Sequence, residues 1–340
     1  MSVVSEVTTV APTRARRTAR TTPDLRSFAI AAVGGISMLA WAGQNGFNQD
    51  LLLLTAAYGL IALGMYVPFV LVGKLSLAYG SYAAMGAYAV ALVATRTSWP
   101  LLVAWVLGAI VAAIAAVILG AATSRLSNWY LASVTIMFAT AFESWLSETK
   151  DITGGAGGLG GIRSFELFGW VLTRDQSIYA AVVLVLVVGL VIDRLRLSAW
   201  GVTARTVRDA PLVVETAGVR VRSVVLISLA FGAGIASFGG ALFTSSVGSI
   251  TPETFTMNIV FLALFMPLIG GVGTPWGAAL GAALVVQLTL NSSSFSNSGT
   301  LILSLGVIAM LLLSPNGLIT MVDRVRLWLT RTVTTARSSR

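Results

Sequence analysis

Uncharged apolar blocks of about 15 to 24 residues follow one another along most of the chain, separated by short polar or charged connections. A helix needs roughly 20 apolar residues to cross the hydrocarbon core of a bilayer, whereas a helix of a soluble domain is apolar on one face only. The blocks therefore predict an all-α fold, a polytopic transmembrane helical bundle. Ten helices are expected, at residues 27–43, 51–72, 75–95, 100–123, 129–146, 178–192, 224–247, 257–271, 276–290 and 300–314.

Two connections between these helices are long enough to have functions of their own, at residues 147–177 and 193–223. Basic tails at residues 1–26 and 319–340 flank a membrane domain of residues 27–318. If the ten helices form two halves of five, the odd number requires the second half to insert upside down, as in the inverted repeats of many transporters. No clear internal sequence match accompanies this expectation.

The composition agrees with a membrane protein, since 56% of the residues are hydrophobic and only 10% are charged. The net charge of +9 does not indicate a nucleic-acid partner, because Lys and Arg stand at the ends of apolar blocks. With both termini in the cytoplasm, 18 of the 22 basic residues lie on the cytoplasmic side, and the connection at 147–177 is external. This orientation follows the positive-inside rule, and the reverse orientation violates it.

The first apolar block has an alternative interpretation. A basic segment, an apolar stretch and the sequence Ala40-Trp41-Ala42 also match a cleavable signal peptide. Residues 27–43 are therefore either a retained membrane helix or a leader that is removed.

Catalytic chemistry has few candidates in this sequence. The chain contains no Cys and no His, which excludes the usual thiol nucleophiles, imidazole bases and zinc ligands. Residues 155–160 match GxGxxG, but they lie between membrane helices without the strand and helix that a dinucleotide-binding turn requires. Gly73-Lys74 lacks the upstream glycine of an ATP-binding P-loop. We predict a non-catalytic membrane subunit without a cofactor or metal.

Small residues recur at helix-packing intervals in several of the predicted helices. Such rows allow helix backbones to approach closely in a membrane. They serve either a moving pathway or static packing, and the sequence alone does not distinguish these roles. The small residues are Gly80 and Gly86 in the third helix, the row Gly232, Ala236 and Gly240, and the row Gly273, Gly277 and Gly281. Tyr88, in the third helix, is a further candidate for the pathway or for helix packing.

The connection at 193–223 contains a basic amphipathic segment. Asp209 is placed to cap a second short helix, with Pro211 in its first turn and Gly218 at its end. One helical face is apolar, formed by Ala204, Val207, Val214 and Ala217. The segment either rests on anionic lipid or docks a soluble partner. The residues predicted to contact such a partner are Ala204, Arg205, Val207, Arg208, Asp209, Glu215 and Gly218.

Separated motifs, in order between about Leu51 and Leu318, resemble one known family. They are Gly73-Lys74-Leu75-Ser76-Leu77 with Gly86-Ala87-Tyr88, Arg125-Leu126 with Tyr130-Leu131-Ala132 and Thr135, the external Thr153-Gly154-Gly155 with Gly158-Leu159 and Gly161-Ile162, the segment 201–218, Ser249-Ile250-Thr251-Pro252 with Phe255, Gly270-Gly271-Val272-Gly273-Thr274 with Trp276-Gly277 and Gly281-Ala282, and Ser314-Pro315-Asn316-Gly317-Leu318. Together they resemble the permease subunits of branched-chain amino acid ABC importers, of the LivM type. The external-loop motif is the most specific of these matches.

The resemblance implies a subunit of a bacterial plasma (inner) membrane importer. Its partners would be a second related permease subunit, two cytoplasmic ATP-binding subunits and an external solute-binding protein. Residues 201–218 would couple ATP hydrolysis to alternating access, and this chain would supply half of a pathway for branched-chain or other hydrophobic amino acids. Two departures bear on the solute and the partner. Ala78-Tyr79 replaces a glycine and a polar amide or imidazole, and Pro211 and Glu215 replace an acidic and a basic residue.

Two other classes of transport protein also fit a polytopic chain. One is an ion-coupled secondary transporter, and the other is a passive channel for small polar solutes such as urea or amides. Ion coupling usually leaves ionisable residues in mid-membrane, and only Glu143, close to an outer end, comes near such a position. The sequence therefore favours the importer subunit.

A cysteine in place of Ser164 tests the predicted orientation, because the chain has no native cysteine. In sealed right-side-out vesicles this cysteine should react with a membrane-impermeant thiol reagent. A second cysteine in place of Thr216, in the cytoplasmic connection, should react only after the membrane is permeabilised. The reverse labelling pattern would refute the orientation.

Overall fold

The computed structural model describes residues 25–43, 45–123, 128–163, 166–167 and 170–290. Twelve α-helices in these ranges are numbered in chain order: α1 Leu25–Ala42, α2 Gly46–Tyr66, α3 Tyr79–Arg96, α4 Leu101–Thr123, α5 Asn128–Glu148, α6 Lys150–Thr153, α7 Arg174–Leu197, α8 Ala199–Asp209, α9 Pro211–Thr216, α10 Val221–Val247, α11 Met257–Gly270 and α12 Pro275–Leu290. A π-helical turn, Val67–Leu71, follows α2, and the 3-10 turns are Gly155–Gly157 and Pro252–Phe255. The strands are only two residues long: β1 Leu159–Gly160, β2 Glu166–Leu167, β3 Trp170–Val171 and β4 Ser249–Ile250.

The predicted all-α class is confirmed. Nine of the ten predicted helices correspond to α1, α2, α3, α4, α5, α7, α10, α11 and α12. The tenth, at residues 300–314, lies outside the described residues, as do the C-terminal tail and residues 1–24. The arrangement in two inverted halves and the division into tails and membrane domain therefore stay predictions.

Five stretches of the described residues are long and apolar enough to cross a membrane: Gly46–Leu71, Leu101–Thr123, Arg174–Leu197, Val221–Val247 and Pro252–Gly270. The helix α3 is not among them because it carries polar residues such as Ser81 and Tyr82. These side chains are 4% and 1% exposed, so protein surrounds them. A helix enclosed by protein does not need the apolar surface that contact with lipid demands.

The helix α4 shows the opposite distribution. Its buried side contains small residues at intervals of four, including Ala104, Gly108, Ala112 and Ala116. Its exposed side is aliphatic and comprises Leu102, Val103, Val106, Leu107, Ile110, Val111, Ile114, Val117, Ile118 and Ala122. A surface of this composition is matched to lipid tails, so α4 lies at the periphery of the bundle with this side toward the bilayer.

The helices α2 and α10 form the centre of the bundle, and α10 contacts α2, α3 and α4. Backbones approach closely where these helices cross. A Cβ atom at Gly86 would lie 2.0 Å from the carbonyl oxygen of Ser237, and one at Gly240 would lie 1.8 Å from that of Ala83. The predicted row Gly232, Ala236 and Gly240 therefore serves helix packing in this conformation.

The helices α11 and α12 form a tight hairpin around residues 271–274, here called the glycine turn. Gly271 has a φ of 122°, a conformation that favours glycine. A Cβ atom added at Gly277 would lie 2.2 Å from the carbonyl oxygen of Gly271, and one added at Gly281 would lie 1.9 Å from that of Met266. At Gly273 it would meet no atom within 4 Å. Two members of the predicted row thus pack the hairpin, and the third lies open in the turn.

Loop contacts divide the bundle into two ends. At one end, Leu159 pairs with Ile250 in a two-stranded ladder, and Arg163 donates to the carbonyl oxygen of Thr97 at 3.0 Å. At the other end, α8 contacts the π-helical turn, and α7 reaches the glycine turn. The described parts of the connections at 147–177 and 193–223 therefore lie at opposite ends of the bundle.

The α11–α12 hairpin supplies a test of close packing. Gly281→Ala and Gly277→Ala should each lower the thermal stability of the detergent-solubilised protein, because one methyl group would press on a backbone carbonyl oxygen at a cost of about 1–3 kcal/mol. The larger Gly277→Leu and Gly281→Leu should also abolish transport while membrane insertion persists.

Gly273→Ala is the matched control, since its added methyl group meets open space. Its melting temperature should stay close to that of the wild type. Equal stability of all three alanine variants would show that the hairpin is looser than this packing requires.

Candidate functional site

A non-helical segment lies inside the helical bundle. Residues 72–78 join the π-helical turn to α3, and Ser76, Leu77 and Ala78 are at most 6% exposed. The backbone N–H of Leu77 donates to Oγ1 of Thr135 on α5 at 2.9 Å. Buried backbone without helical hydrogen bonds needs such a partner, because the bilayer interior offers no water. In transporters such unwound segments commonly lie beside the solute pathway.

The helix α5 presents a partly polar face outside the chain. Its exposed residues include Tyr130, Ser133, Met137, Thr140, Ala141, Ser144 and Glu148. Thr140, Ser144 and Glu148 also line an open groove together with Glu143 and Ser147. Placing a carboxylate against lipid hydrocarbon costs free energy, and hydroxyl groups gain no stabilisation from lipid tails. The contrast with the aliphatic face of α4 indicates that this face of α5 meets water or another protein chain.

The three pathway candidates on α3 are all buried in the protein. A Cβ atom at Gly80 would lie 2.6 Å from the carbonyl oxygen of Phe255, so this glycine permits a close backbone approach, as Gly86 does. Tyr88 is 4% exposed, and its hydroxyl has no hydrogen-bond partner among the described residues. In this conformation none of the three is exposed on the surface of the chain.

The apolar face of the predicted cytoplasmic segment, residues 201–218, packs on the chain itself. Ala204 is fully buried, Val207 is 4% exposed and Val214 is 5% exposed. Only Ala217, beyond the end of α9, is exposed. The periodicity therefore identified a genuine apolar face, but Ala204 and Val207 are not available to a partner in this conformation.

The surface that remains open lies on the opposite side of α8 and on α9. Leu212 is 74% exposed, Val213 is 59% exposed and Val202 is 54% exposed. Arg208, Asp209 and Glu215 are exposed beside them. We call Leu212 and Val213 the apolar tip of the segment. Large exposed aliphatic side chains flanked by both signs of charge are typical of a surface that binds another protein.

The predicted capping by Asp209 is wrong. The residue before α9 is Ala210, and no side-chain hydrogen bond caps this helix. Asp209 belongs to α8, and its Oδ1 lies 3.5 Å from Nε of Arg208. Pro211 occupies the first turn of α9 as predicted. Gly218, with a φ of 82°, follows the end of α9 and allows the chain to turn toward α10.

Arg208, in the segment 201–218, joins α8 to the membrane bundle. Its Nη1 donates to the carbonyl oxygen of Val70, in the π-helical turn, at 2.8 Å. A Cβ atom at Gly73 would lie 2.8 Å from Cγ of Arg208, so glycine leaves room for this side chain. Lys74 follows, and burial lowers its pKa below the ordinary value. Arg205, by contrast, bonds locally, to the carbonyl oxygens of Gly201 and Arg196.

The predicted external-loop residues form a compact corner after α5. The Thr153 hydroxyl donates to the carbonyl oxygen of Leu146 at 2.6 Å and accepts from the N–H of Gly155 at 3.3 Å. Gly154 and Gly155 both have positive φ angles. The GxGxxG sequence thus forms a 3-10 turn after α6 and then the short strand β1, and it lacks the preceding strand and following helix of a nucleotide-binding turn.

A bundle of membrane-spanning helices with a buried unwound segment is typical of a polytopic membrane transport protein. The family of branched-chain amino acid transport system permease components matches residues 48–314. The chain belongs to this family.

Individual relatives agree with the assignment. The permease protein LivM of the high-affinity branched-chain amino acid transport system of Escherichia coli (strain K12) is 29% identical over 296 residues, which are 80% of this chain and 70% of that protein. The permease protein LivH of the Salmonella typhimurium system is 24% identical over 298 residues, 81% of this chain and 94% of that protein. No solved structure matches the chain.

Sequence reasoning missed several residues that the structure brings together. Asp193 and Arg196 form an ion pair at the end of α7, and Tyr66 donates to the carbonyl oxygen of Val272 in the glycine turn. The spacing of three between Asp193 and Arg196, at the edge of an apolar block, is a signal that could have identified the pair. No cluster of potential metal ligands occurs in the part of the chain that the structure describes.

Thr135→Val tests the anchor of the unwound segment. Valine keeps the shape but leaves the Leu77 N–H buried without a partner, which should lower stability by about 1–3 kcal/mol and reduce transport. The matched control for stability is Thr140→Val on the same helix, because the Thr140 hydroxyl is exposed and bonds only within α5, so its melting temperature should stay near that of the wild type. Thermal unfolding in detergent measures both variants. An unchanged melting temperature for Thr135→Val would contradict the anchoring role.

Proposed function

We propose that this chain is the membrane-spanning permease subunit of an ATP-driven importer for branched-chain or other hydrophobic amino acids. Such a subunit binds no ATP and makes no covalent bonds; it supplies half of a pathway that opens alternately to the two sides. The observation that carries the proposal is the apolar tip, exposed at the same end of the bundle as the glycine turn and the π-helical turn. The names of the relatives support the class of solute.

The apolar tip is the proposed contact for two cytoplasmic ATP-binding subunits, one on each permease subunit. Burying a leucine side chain in a groove stabilises a complex by up to about 3 kcal/mol. Arg208, Asp209 and Glu215 would surround the tip and select the partner by charge. Ala204 and Val207 take a different part, since they hold α8 against the bundle and transmit its position.

The polar face of α5 is the proposed border of the pathway, shared with a second related permease subunit. Exposed hydroxyls of Ser133, Thr140 and Ser144 suit a water-filled passage better than lipid. The opposite face of the same helix holds the unwound segment through Thr135. A shift of α5 would therefore move both the passage and the segment behind it.

The orientation follows from charge. Both termini and the connection at 193–223 lie in the cytoplasm of a bacterium, so that the chain crosses the plasma (inner) membrane with most of its basic residues inside. The external solute-binding protein would then dock at the end where Thr153, Gly154 and Gly155 lie. This end is also where the β1–β4 ladder joins the two external connections.

The proposal is tested by reconstituting the chain in liposomes with its partner permease and ATP-binding subunits. ATP and a loaded solute-binding protein should both be required for uptake of leucine. Leu212→Asp should abolish association of the ATP-binding subunits and uptake together, because a charge replaces the buried apolar contact. Leu212→Met keeps the apolar bulk and is the matched control, which should retain both.

Uptake by the purified chain alone, without ATP-binding subunits, would instead support a secondary transporter or a channel. Uptake of urea or amides in preference to leucine by the full complex would correct the solute class. Full association of Leu212→Asp with the ATP-binding subunits would show that the apolar tip is not the docking surface.

A further inference from the structure

A buried ion pair closes the cytoplasmic end of α7. Asp193 is 4% exposed, and its Oδ1 lies 3.2 Å from Nη2 of Arg196. Both side chains are withdrawn from water, with 6% and 12% of their surfaces exposed. Arg194, between them, is exposed. Burying a charge costs free energy unless a partner of opposite sign accompanies it. Asp193 and Arg196 therefore stabilise each other in their buried positions.

Arg196 also bonds to two other elements. Its Nη1 donates to the carbonyl oxygen of Gly273 in the glycine turn. Its own backbone carbonyl oxygen accepts a hydrogen bond from Nη2 of Arg205, on α8, at 3.3 Å. The planar guanidinium group presents donors in a fixed fork, and can therefore hold a carboxylate and a carbonyl oxygen at once. One residue thus joins α7, α8 and the α11–α12 hairpin.

The glycine turn is in contact with its neighbours on both sides. The backbones of Gly270 and Gly277 approach closely across the hairpin, since a Cβ atom added at Gly270 would lie 1.7 Å from the carbonyl oxygen of Gly277, and this contact packs α11 against α12 beside the turn. On its other side, the turn receives a hydrogen bond from the Tyr66 hydroxyl of α2 to the carbonyl oxygen of Val272, at 3.3 Å. The turn therefore lies between the central helix and Arg196.

We propose that Arg196 is a positioning residue that transmits movement of the cytoplasmic segment to the α11–α12 hairpin, and thereby couples ATP hydrolysis to opening of the pathway. The proposal rests on the proposed function, in which ATP-binding subunits move α8 and α9. Coupling of this kind requires contiguous contacts between elements that shift together, and the bonds from Arg205 to Arg196 and from Arg196 to Gly273 supply them.

The first experiment separates this role from stability. In the fully reconstituted complex, the double variant Asp193→Asn with Arg196→Gln removes both buried charges together, so it leaves no unpaired ion. It should retain assembly and ATP hydrolysis, because the apolar tip is unchanged. Leucine transported per ATP hydrolysed should fall by at least about fivefold, since the guanidinium bond to Gly273 is gone. Arg194→Gln, at the neighbouring exposed arginine, is the control and should keep the wild-type ratio.

A second variant keeps the charge. Arg196→Lys retains a cation beside Asp193 but offers a single ammonium group in place of the two-armed guanidinium. Its melting temperature should stay near that of the wild type, while the transport-to-hydrolysis ratio falls. A purely structural ion pair predicts the opposite: an unchanged ratio in every variant that assembles. That result, in the double variant or in Arg196→Lys, would overturn the proposal.

The outcomes also distinguish this proposal from the proposed function. If the wild-type chain fails to bind ATP-binding subunits, the proposed function fails. If the wild type transports with ATP and the double variant assembles with an unaltered ratio, only the role of Arg196 is refuted.

Discussion

Every backbone polar group inside a bilayer must be satisfied by the protein itself, and the arrangement of this chain depends on that constraint. Helices meet it within themselves, and they account for most of the described residues. Where the chain leaves the helix, another element supplies the missing bond. Thr135 serves the unwound segment at Leu77, and Arg208 serves the π-helical turn at Val70. The unwound segment and the π-helical turn are therefore tied to α5 and α8, the two elements that the proposed function places at the pathway and at the ATP-binding subunits.

Close backbone contact is the second device that holds the bundle together. Lipid tails are as apolar as leucine, so association of helices in a membrane gains little from burying aliphatic side chains. Small residues compensate by bringing whole backbones into contact. Gly86 and Gly240 do so between α3 and α10, and Gly277 and Gly281 do so within the α11–α12 hairpin. These glycines are buried between helices, while the large aliphatic residues of α4 face outward.

The helices could be predicted from sequence because the thickness of the bilayer fixes the length of an apolar block. The same reasoning could not decide where an amphipathic face points. Ala204 and Val207 share a face, as their spacing requires, but a face beside a membrane bundle can pack on that bundle as well as on a partner. Asp209 fits a cap by residue type, yet it is the last residue of α8 and Ala210 separates it from α9. The sequence predicts a helix from residue 75, because the largely apolar residues 75–78 continue those of α3, but the structure leaves them unwound. Composition alone does not show that Thr135 would satisfy their backbone.

The arginines show why a charge count indicates orientation without exhausting what the charges do. Among the described residues, several arginines donate to backbone carbonyl oxygens near helix ends: Arg96 to Ile152, Arg163 to Thr97, Arg196 to Gly273, Arg208 to Val70 and Arg222 to Ala121. The last carbonyl groups of a helix lack partners within it, and a cation there is also favoured by the helix dipole. Arginine suits this position because its long side chain spans two elements and its fork bonds a carbonyl oxygen while its charge stays at the membrane boundary. The arginines near helix ends thus also fasten neighbouring elements to one another. For this reason, replacing any of these arginines alters the packing between elements as well as the distribution of charge along the chain.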